Sequence, residues 1–335
     1  MQSRIESLLG IETFIIAEIG SNHDGNFDKA LRLMDTAREA GANAVKFQSF
    51  LADHLVTKDS PDYDLLKRLE VPHAWYPALY KEAKDRGLVF FSTATNEITM
   101  NWMEEIGVEL YKIASPNLTH IPLVKSVART GKCALLSTGM AGYSEIDEAV
   151  NAFKNEGNEN FALLHCVSVY PADPSLINLR FLETLRQMYP NPVGYSDHTT
   201  GIGVAVAATA LGARVIEKHI TYDRKAQGPD HHYALEPDEF ILMCKSIRTA
   251  EQAVGSPQKQ ISLGEKETSN RAWRSLRAAR SLKEGEILLP ADIAVVRPAD
   301  GLHSRYAETL PGLRLQRDMK AGDPFRWDCF KEEEK

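Results

Sequence analysis

The chain of 335 residues lacks several features that would assign it to a class at once. It has no run of about 18 apolar residues, which a membrane-spanning helix needs, and its first residues lack the apolar core of a secretory signal. Its net charge of -7 provides no basic surface for nucleic acid or anionic membranes. We therefore expect a cytoplasmic protein that binds neither nucleic acid nor membranes.

Cysteine is also scarce. The four cysteines, Cys133, Cys166, Cys244 and Cys329, stand singly and far apart along the chain. This spacing excludes a dense disulfide framework and a zinc knot built from paired cysteines. We expect reduced thiols that serve mostly as packing residues.

Short apolar runs, each followed by a segment with helical periodicity, repeat eight times along the chain. Such even repetition is typical of a (β/α)8 barrel, whereas an open doubly wound sheet rarely repeats so regularly. We therefore predict an α/β fold in which residues 1–256 form a TIM barrel. The predicted strands are residues 14–18, 43–48, 88–93, 110–115, 134–138, 161–166, 192–196 and 214–219.

The pattern changes after residue 256. Residues 257–272 are polar and are predicted to be a linker. Residues 273–335 contain short strand-like pieces, such as EILL and IAVV, and are predicted to form a small β-rich domain. So small a unit buries little apolar surface by itself, and we expect it to lean on the barrel or on a second subunit.

Polar or ionisable residues stand at or just after the end of nearly every predicted strand. In a TIM barrel these ends meet at one mouth, where the active site lies. Lysines and hydroxyls there suit a phosphate or carboxylate anion, and two histidines on successive strands can hold a divalent ion. The residues concerned are Glu18, Lys46, Gln48, Thr93, Lys112, Ser115, Ser137, His165, Ser168, Ser196, His198 and His219.

Several of these residues have other interpretations. Strand ends are commonly hydrophilic, so any single polar residue can stand there without a function. Lys46 or Lys112 could form a Schiff base, as in barrel aldolases. His23 could be a ligand, a substrate contact or a turn-stabilising residue, the last being our default, and His165 is read as a core histidine.

A resemblance to a known family rests on motifs that occur in order along nearly the whole chain. They are AEIGSNHDG, VKFQS, YKIAS, LLSTGM, LLHCVSVYP, GYSDHT and IEKHIT followed by GPDH. Together they resemble the sialic acid synthase family. The segment SLKEGEILLPADIAVVRPADGL resembles the antifreeze-like (SAF) domain of the same family.

The resemblance implies a metal-dependent condensation of phosphoenolpyruvate with the open-chain aldehyde of an N-acylated hexosamine. In such enzymes C3 of phosphoenolpyruvate attacks the aldehyde, water adds at C2, and the tetrahedral intermediate loses phosphate by C–O cleavage. The product is a nonulosonic acid, a 2-keto acid of the sialic type. Mn²⁺ is the expected ion, with Mg²⁺ or Co²⁺ as alternatives, and a domain-swapped homodimer is the expected assembly.

The resemblance also assigns roles to individual positions. His198 and His219 match metal ligands, and Glu18 matches an acid beside the metal-bound water. Arg297 matches an arginine that one subunit inserts into the barrel mouth of its partner. The positions for phosphoenolpyruvate are Lys46, Thr93, Lys112, Ser115, Ser137 and Ser196, and those on the sugar side are Gln48, Ser168, Tyr170 and Asp230.

The chain departs from the family pattern near the sugar and the proton-handling groups. Asn117 stands where sialic acid-making members have a glutamate, and an amide cannot act as a general base. Ser168 stands where those members have an asparagine. The sugar is therefore left open between N-acetylmannosamine and legionaminic- or pseudaminic-type precursors, and a catalytically impaired paralogue that binds sugar or phosphate is the alternative.

Three histidines fall within the stretch IEKHITYDRKAQGPDHHYAL, residues 216–235. Only His219 is predicted to be a ligand, with His198 as its distant partner. The GPD turn is predicted to bring Asp230 over the mouth, and His231 and His232 are expected to shape or flank that loop.

Overall fold

A computed structural model describes residues 3–330 of the chain. The chain divides into two compact units, Met1–Gly255 and Ser256–Lys335. Among the described residues, no helix combines the length and the apolar character needed to cross a membrane.

The first unit is a closed barrel of eight parallel strands in sequence order, β1 to β8. The predicted TIM barrel is thus confirmed, and each strand begins and ends within two residues of its predicted bounds. The strands are β1 (Phe14–Gly20), β2 (Ala44–Ser49), β3 (Val89–Ala94), β4 (Leu110–Ile113), β5 (Cys133–Ser137), β6 (Phe161–Cys166), β7 (Val193–Asp197) and β8 (Val215–His219).

Most of the helices that surround the strands present an apolar stripe to the sheet. In the helix after β1, for example, Ala30, Leu33, Met34 and Ala37 recur at helical spacing and are all buried. The helices of this unit are α1 (Arg4–Leu9), α2 (Phe27–Ala40), α3 (Ala52–Leu55), α4 (Tyr63–Leu69), α5 (Tyr76–Asp85), α6 (Glu97–Ile106), α7 (Ile121–Arg129), α8 (Tyr143–Asn155), α9 (Phe181–Met188), α10 (Gly203–Ala210) and α11 (Pro237–Val254).

The lower part of the barrel interior is apolar. Alternate strand residues such as Phe14, Ile16, Phe91 and Leu135 form one buried cluster, as the two-residue period of a strand requires. Helix α1, which the sequence reading did not assign, packs Ile5 and Leu9 into this cluster. The apolar floor confines polar chemistry to the opposite, C-terminal end of the strands.

The second unit has a small core of its own around Leu276, Leu310 and Phe325. Its regular strands within the described residues are β9 (Ser275–Ala278) and β10 (Ile293–Val296), which pair antiparallel. Several other segments pair through single bridges, such as Ile287 with Arg314. The segment predicted as a linker contains a helix, α12 (Leu263–Ala272), whose Ser262 and Glu265 form a capping box.

Candidate active site

A cavity of about 260 Å³ opens at the C-terminal ends of the barrel strands. The inward residues that follow the apolar floor on each strand are polar, and they form the base of this cavity. The structure brings together these predicted site residues: Glu18, Lys46, Gln48, Thr93, Lys112, Ser115, Asn117, Ser137, Tyr170, Ser196, His198, His219 and Asp230.

A buried network of charges lies at the base of the cavity. The Lys112 ammonium is 2.7 Å from both carboxylate oxygens of Glu217. The Lys46 ammonium is 2.8 Å from Glu18 Oε2 and 3.8 Å from Glu217 Oε1. Ser196 donates a hydrogen bond of 2.9 Å to Glu217. Two carboxylates therefore hold two neighbouring ammonium groups in a region that is buried from solvent.

The network shifts the pKa values of its members in opposite directions. Burial raises the pKa of Glu217, but the charges of Lys112 and Lys46 outweigh burial and the net shift is downward. Burial dominates at Glu18 and raises its pKa to about 7, although Lys46 opposes the shift. Glu217 is thus held as a carboxylate, whereas Glu18 can exchange a proton near neutral pH.

Hydroxyl groups line the cavity beside the lysines. Thr93 accepts a hydrogen bond of 3.4 Å from Lys46, and the Ser137 hydroxyl is buried without a hydrogen-bond partner. The Gly139 amide donates to the Ser115 hydroxyl at 3.0 Å, where a Cβ on Gly139 would stand 2.7 Å from that oxygen. Donors and cations in this arrangement suit an anion with several oxygens.

The two predicted metal ligands are neighbours. The rings of His198 and His219 are 5.6 Å apart between centroids. His198 Nδ1 is 3.0 Å from the Val167 carbonyl, an acceptor that assigns the proton to Nδ1 and leaves Nε2 with the lone pair. His219 Nδ1 is buried without a hydrogen-bond partner, and burial lowers the His219 pKa to about 4, so the ring is neutral at pH 7.

These histidines fit a divalent ion that keeps open positions for other ligands. Within residues 3–330, no three side chains of the His, Cys, Asp and Glu types form a group that could hold a metal. An ion held by these two imidazoles would keep its other positions open to water or substrate oxygens.

A buried ion pair supports the two histidines from behind. Asp197 and Lys218 each precede one of them along the strands β7 and β8, so their side chains point to the outer face of the barrel. The Lys218 ammonium lies 2.7 Å from Asp197 Oδ2, and both side chains are fully buried. The pair ties together the two strands that carry His198 and His219.

The wall of the cavity near Asp230 carries groups that can form hydrogen bonds with uncharged polar atoms of a ligand. Asp230 accepts hydrogen bonds from Ser21 at 3.0 Å and from Tyr233 at 2.8 Å. The Tyr170 ring lies 4.4 Å from the His198 ring between centroids and is half-exposed. Ser168 stands just outside the lining, with its hydroxyl 3.9 Å from Cys166 Sγ.

Four histidines outside the pair have structural surroundings. His23 is buried and accepts a hydrogen bond of 3.0 Å from the Gly25 amide, the turn-stabilising role expected by default. His165 faces the helical layer, not the lumen, and its Nε2 is 2.6 Å from the Ile177 carbonyl. His231 is buried between Asp24 and Thr221, at 2.8 and 2.7 Å, and His232 is exposed.

Arg297 belongs to the second unit, where its side chain is exposed.

Sequence reasoning missed some residues of the site. Glu217 is the largest omission, although it stands two residues before His219 on the same strand and must face the same side. Cys166 was read as a packing residue, but its thiol lines the cavity 3.7 Å from His198 Nδ1. Tyr233 and an apolar group, Phe50, Leu55 and Leu66, also line it.

Gly20 is required where the walls of the cavity meet. A Cβ there would stand 3.1 Å from Glu18 Oε1, 3.2 Å from Asp230 Oδ2 and 3.2 Å from Gln48 Nε2. We expect Gly20→Ala to lower kcat/KM by about 10- to 100-fold, because it displaces groups that position the substrate. Steady-state kinetics measures this loss.

The matched control is Gly41→Ala. Gly41 also has positive φ, +81° against +52° at Gly20, but a Cβ there would meet nothing within 4 Å. Both variants carry the backbone strain of alanine in the left-handed region. An equal loss of activity in both would show that strain, and not crowding of the site, is responsible.

Comparison with known proteins agrees with the resemblance seen in the motifs. The model of the NeuB family matches residues 33–259, and that of the SAF domain matches residues 274–331. N,N'-diacetyllegionaminic acid synthase of Campylobacter jejuni is 37% identical over 89% of this chain and 95% of its own. Human N-acetylneuraminate-9-phosphate synthase is 34% identical over 82% of this chain and 80% of its own.

A solved structure shows the same fold. The N-acetylneuraminic acid synthetase of Leptospira borgpetersenii superposes with a TM-score of 0.74 at 37% identity, covering 77% of this chain and 90% of that one. With the family match spanning more than half of the residues, the chain belongs to the NeuB family and carries a SAF domain.

Proposed function

We propose that the protein condenses phosphoenolpyruvate with the open-chain aldehyde of an N-acylated hexosamine, giving a nonulosonic acid and phosphate. Family membership makes the chain a transferase that forms a carbon–carbon bond with phosphoenolpyruvate, for sialic-type acids or surface polysaccharides. The observation that carries the proposal is the buried pair of lysines, surrounded by hydroxyls, directly beside two neighbouring histidines.

The proposed roles follow from charge and position. The phosphate and carboxylate of phosphoenolpyruvate are bound by two cations, Lys46 and Lys112. The hydroxyls of Thr93, Ser115 and Ser137 donate hydrogen bonds to the same oxygens. Glu217 lies beside both ammonium groups, and its charge opposes the loss of their protons. The unpartnered Ser137 hydroxyl is free to donate to a phosphate oxygen.

On the aldehyde side, Glu18 is the candidate acid or base. Its pKa of about 7 suits transfer of a proton to or from the water and aldehyde oxygens. Gln48 orients Glu18 by donating a hydrogen bond of 2.9 Å to Oε1. Tyr170 and Asp230 lie where they can bind the sugar hydroxyls.

We further propose that His198 and His219 hold a divalent ion, Mn²⁺ by expectation and Mg²⁺ or Co²⁺ otherwise. When bound, the ion supplies Lewis acidity toward the aldehyde oxygen and an anchor for water. The protein contributes the two imidazoles and the Val167 carbonyl that orients His198.

A homodimer in which Arg297 of one chain completes the site of its partner is also part of the proposal. Its support is the family resemblance of the VVRPADG segment. Arg297→Ala should raise KM for the sugar and leave KM for phosphoenolpyruvate within about two-fold, because the arginine would touch only the sugar. An unchanged sugar KM, or a monomer in sedimentation analysis, would contradict this assembly.

Two alternatives are each favoured by one observation. Asn117 lines the cavity in place of a carboxylate, which favours an impaired paralogue that binds without turnover. Burial lowers the pKa of Lys112, as a Schiff-base lysine requires, although Glu217 pairs with it. Glu18 and Glu217 outweigh burial and raise the pKa of Lys46, which disfavours that lysine as a nucleophile.

The test is a phosphate-release assay with phosphoenolpyruvate, Mn²⁺ and a panel of N-acyl hexosamines. We expect release that depends on both the sugar and the ion, and none without the sugar. Release by no sugar, from folded protein that still binds phosphoenolpyruvate, would favour the impaired paralogue. Trapping of a substrate adduct on Lys112 by borohydride would instead favour the Schiff-base mechanism.

A further inference from the structure

A second cavity, of about 460 Å³, lies at the N-terminal ends of the barrel strands, opposite the candidate active site. Its lining comes from α1, from α5 and from the residues that lead into β3 and β4. Val89 of β3 lines this cavity, whereas Thr93, about 13 Å further along the same strand, lines the active-site cavity. Because the catalytic groups of a TIM barrel lie at the C-terminal ends of the strands, a ligand in the second cavity would not be a substrate.

The inner part of the second cavity is apolar and partly aromatic. Leu8, Leu88 and Val89 supply aliphatic side chains that are buried or half-buried. The rings of Tyr80 and Phe90 meet edge to face, with 6.1 Å between their centroids and 86° between their planes. A cavity of this size with an apolar lining and a few polar groups is typical of a small-molecule site. An edge-to-face pair at its wall favours a ligand that carries an aromatic ring.

The charged residues of the second cavity, Arg4, Lys84 and Glu109, are exposed and form its rim. Lys84 stands four residues after Tyr80 on α5, so both side chains lie on one face of the helix. Arg4 donates to the Gly131 carbonyl at 3.2 Å and lies 3.5 Å from Glu109, in a pair whose side chains are 47% and 66% exposed. Such a pair contributes little, so Arg4 can also bind another anion. Two cations and one carboxylate leave the rim with an excess of one positive charge, which a single carboxylate of a ligand neutralises.

The walls of the second cavity also support the floor of the barrel. Leu8 and Val89 line the cavity and at the same time pack against the apolar cluster that fills the lower part of the barrel interior. On the other face of α1, Ile5 and Leu9 are buried in the same cluster. A ligand between α1 and β3 therefore contacts side chains that come together only in the folded barrel, and it should stabilise the folded state by mass action.

We infer that the second cavity binds a small aromatic carboxylate, separately from the reaction at the other end of the barrel. The ring lies beside Tyr80 and Phe90, and the carboxylate accepts charge-assisted hydrogen bonds from Arg4 and Lys84. Burial of the ring and pairing of the charge are both required, so neither an uncharged aromatic compound nor a small aliphatic acid is a good ligand. A saturating ligand should raise the midpoint of thermal unfolding by at least about 3 °C.

The experiment titrates 3-phenylpropionate into the full chain by calorimetry and repeats the titration with 3-phenylpropanol, which lacks the charge, and with propionate, which lacks the ring. Both comparison compounds should bind at least about 10-fold more weakly. Arg4→Gln and Lys84→Gln should each weaken the binding of 3-phenylpropionate by at least about 5-fold. Ser7→Phe, which adds a ring at the lining of the cavity, should abolish binding. Lys81→Gln, at an exposed lysine of α5 outside the lining, is the matched control, and thermal unfolding without ligand checks that each variant is folded.

Each outcome decides for or against the second site. Saturable binding that is weakened in Arg4→Gln and Lys84→Gln, lost in Ser7→Phe and retained in Lys81→Gln would support it. Absence of saturable binding, or an unchanged affinity in both glutamine variants of the rim, would overturn it. Displacement of 3-phenylpropionate by phosphoenolpyruvate would instead place the compound at the lysines of the active site, and would overturn the inference while leaving the proposed function standing.

Discussion

Replacing His219 by alanine is expected to lower the turnover of phosphoenolpyruvate by at least about a thousand-fold, which corresponds to about 4 kcal/mol of transition-state stabilisation. The reason is that His219 and His198 are the only pair of neighbouring imidazoles on the cavity lining of the described barrel. In the proposed site, loss of either ring would remove one of the two imidazoles that hold the ion. His198→Ala should therefore have the same effect, and chelation of wild-type protein should reproduce it, with recovery on adding Mn²⁺.

The controls lie close by in the same segment. His231→Ala removes hydrogen bonds to Asp24 and Thr221 outside the cavity, so it should lower stability more than turnover. The exposed His232 should tolerate alanine in both respects. Mn²⁺ binding measured by calorimetry gives a readout besides activity. Equal loss of activity in all four variants, or unchanged Mn²⁺ affinity in His198→Ala and His219→Ala, would contradict the ligand assignment.

Lys218→Met is expected to lower the free energy of unfolding by about 3–5 kcal/mol, as breaking a buried ion pair does. The substitution leaves the Asp197 carboxylate fully buried without its cation. Asp197 also accepts hydrogen bonds from the backbone amide and hydroxyl of Thr199, and these do not neutralise its charge. Urea unfolding followed by circular dichroism measures the change.

Lys81→Met is the control for this prediction. Lys81 pairs with Asp85 at 2.6 Å on the surface of α5, where the lysine side chain is 72% exposed. Such pairs contribute little, so no measurable change in unfolding is expected. Similar losses at both positions would show that the loss of a lysine, and not the burial of its partner, is responsible.

Local pattern was sufficient to predict the barrel. The eight strands are short apolar runs buried on both faces, and this signal is contained within each run. Helix α1 was missed because its six residues have too few turns to show a period. Helix α12 was missed because its polar sequence has no apolar stripe, and a capping box sets its start.

The sequence predicted those site residues whose position at a strand end is enough to place them at the barrel mouth. Glu18, Lys46, Lys112, Ser137 and the two histidines lie at or near strand ends, and a barrel brings such ends together. Glu217 was overlooked because it reads as half of an ordinary charged doublet with Lys218. Only the barrel shows that one member faces two buried lysines and the other a buried aspartate.

The rest of the site depends on contacts between distant segments. The hydrogen bonds that make His231 a structural residue come from Asp24, 207 positions away, and from Thr221. A short helix was predicted at residues 62–70, where α4 lies, but the local sequence does not show that Leu55 and Leu66 line the cavity. Cys166 was predicted to be a packing residue because the cysteines are few and far apart. That spacing carries no information about the direction of its side chain.

The measurement that tests the central claim most directly is mass spectrometry of the product, combined with phosphate determination in the same reaction. The account predicts one phosphate for each molecule of a 2-keto acid whose mass equals phosphoenolpyruvate plus sugar plus water minus phosphoric acid. Phosphate released without that product, or no reaction with any N-acyl hexosamine in the presence of Mn²⁺, would contradict it.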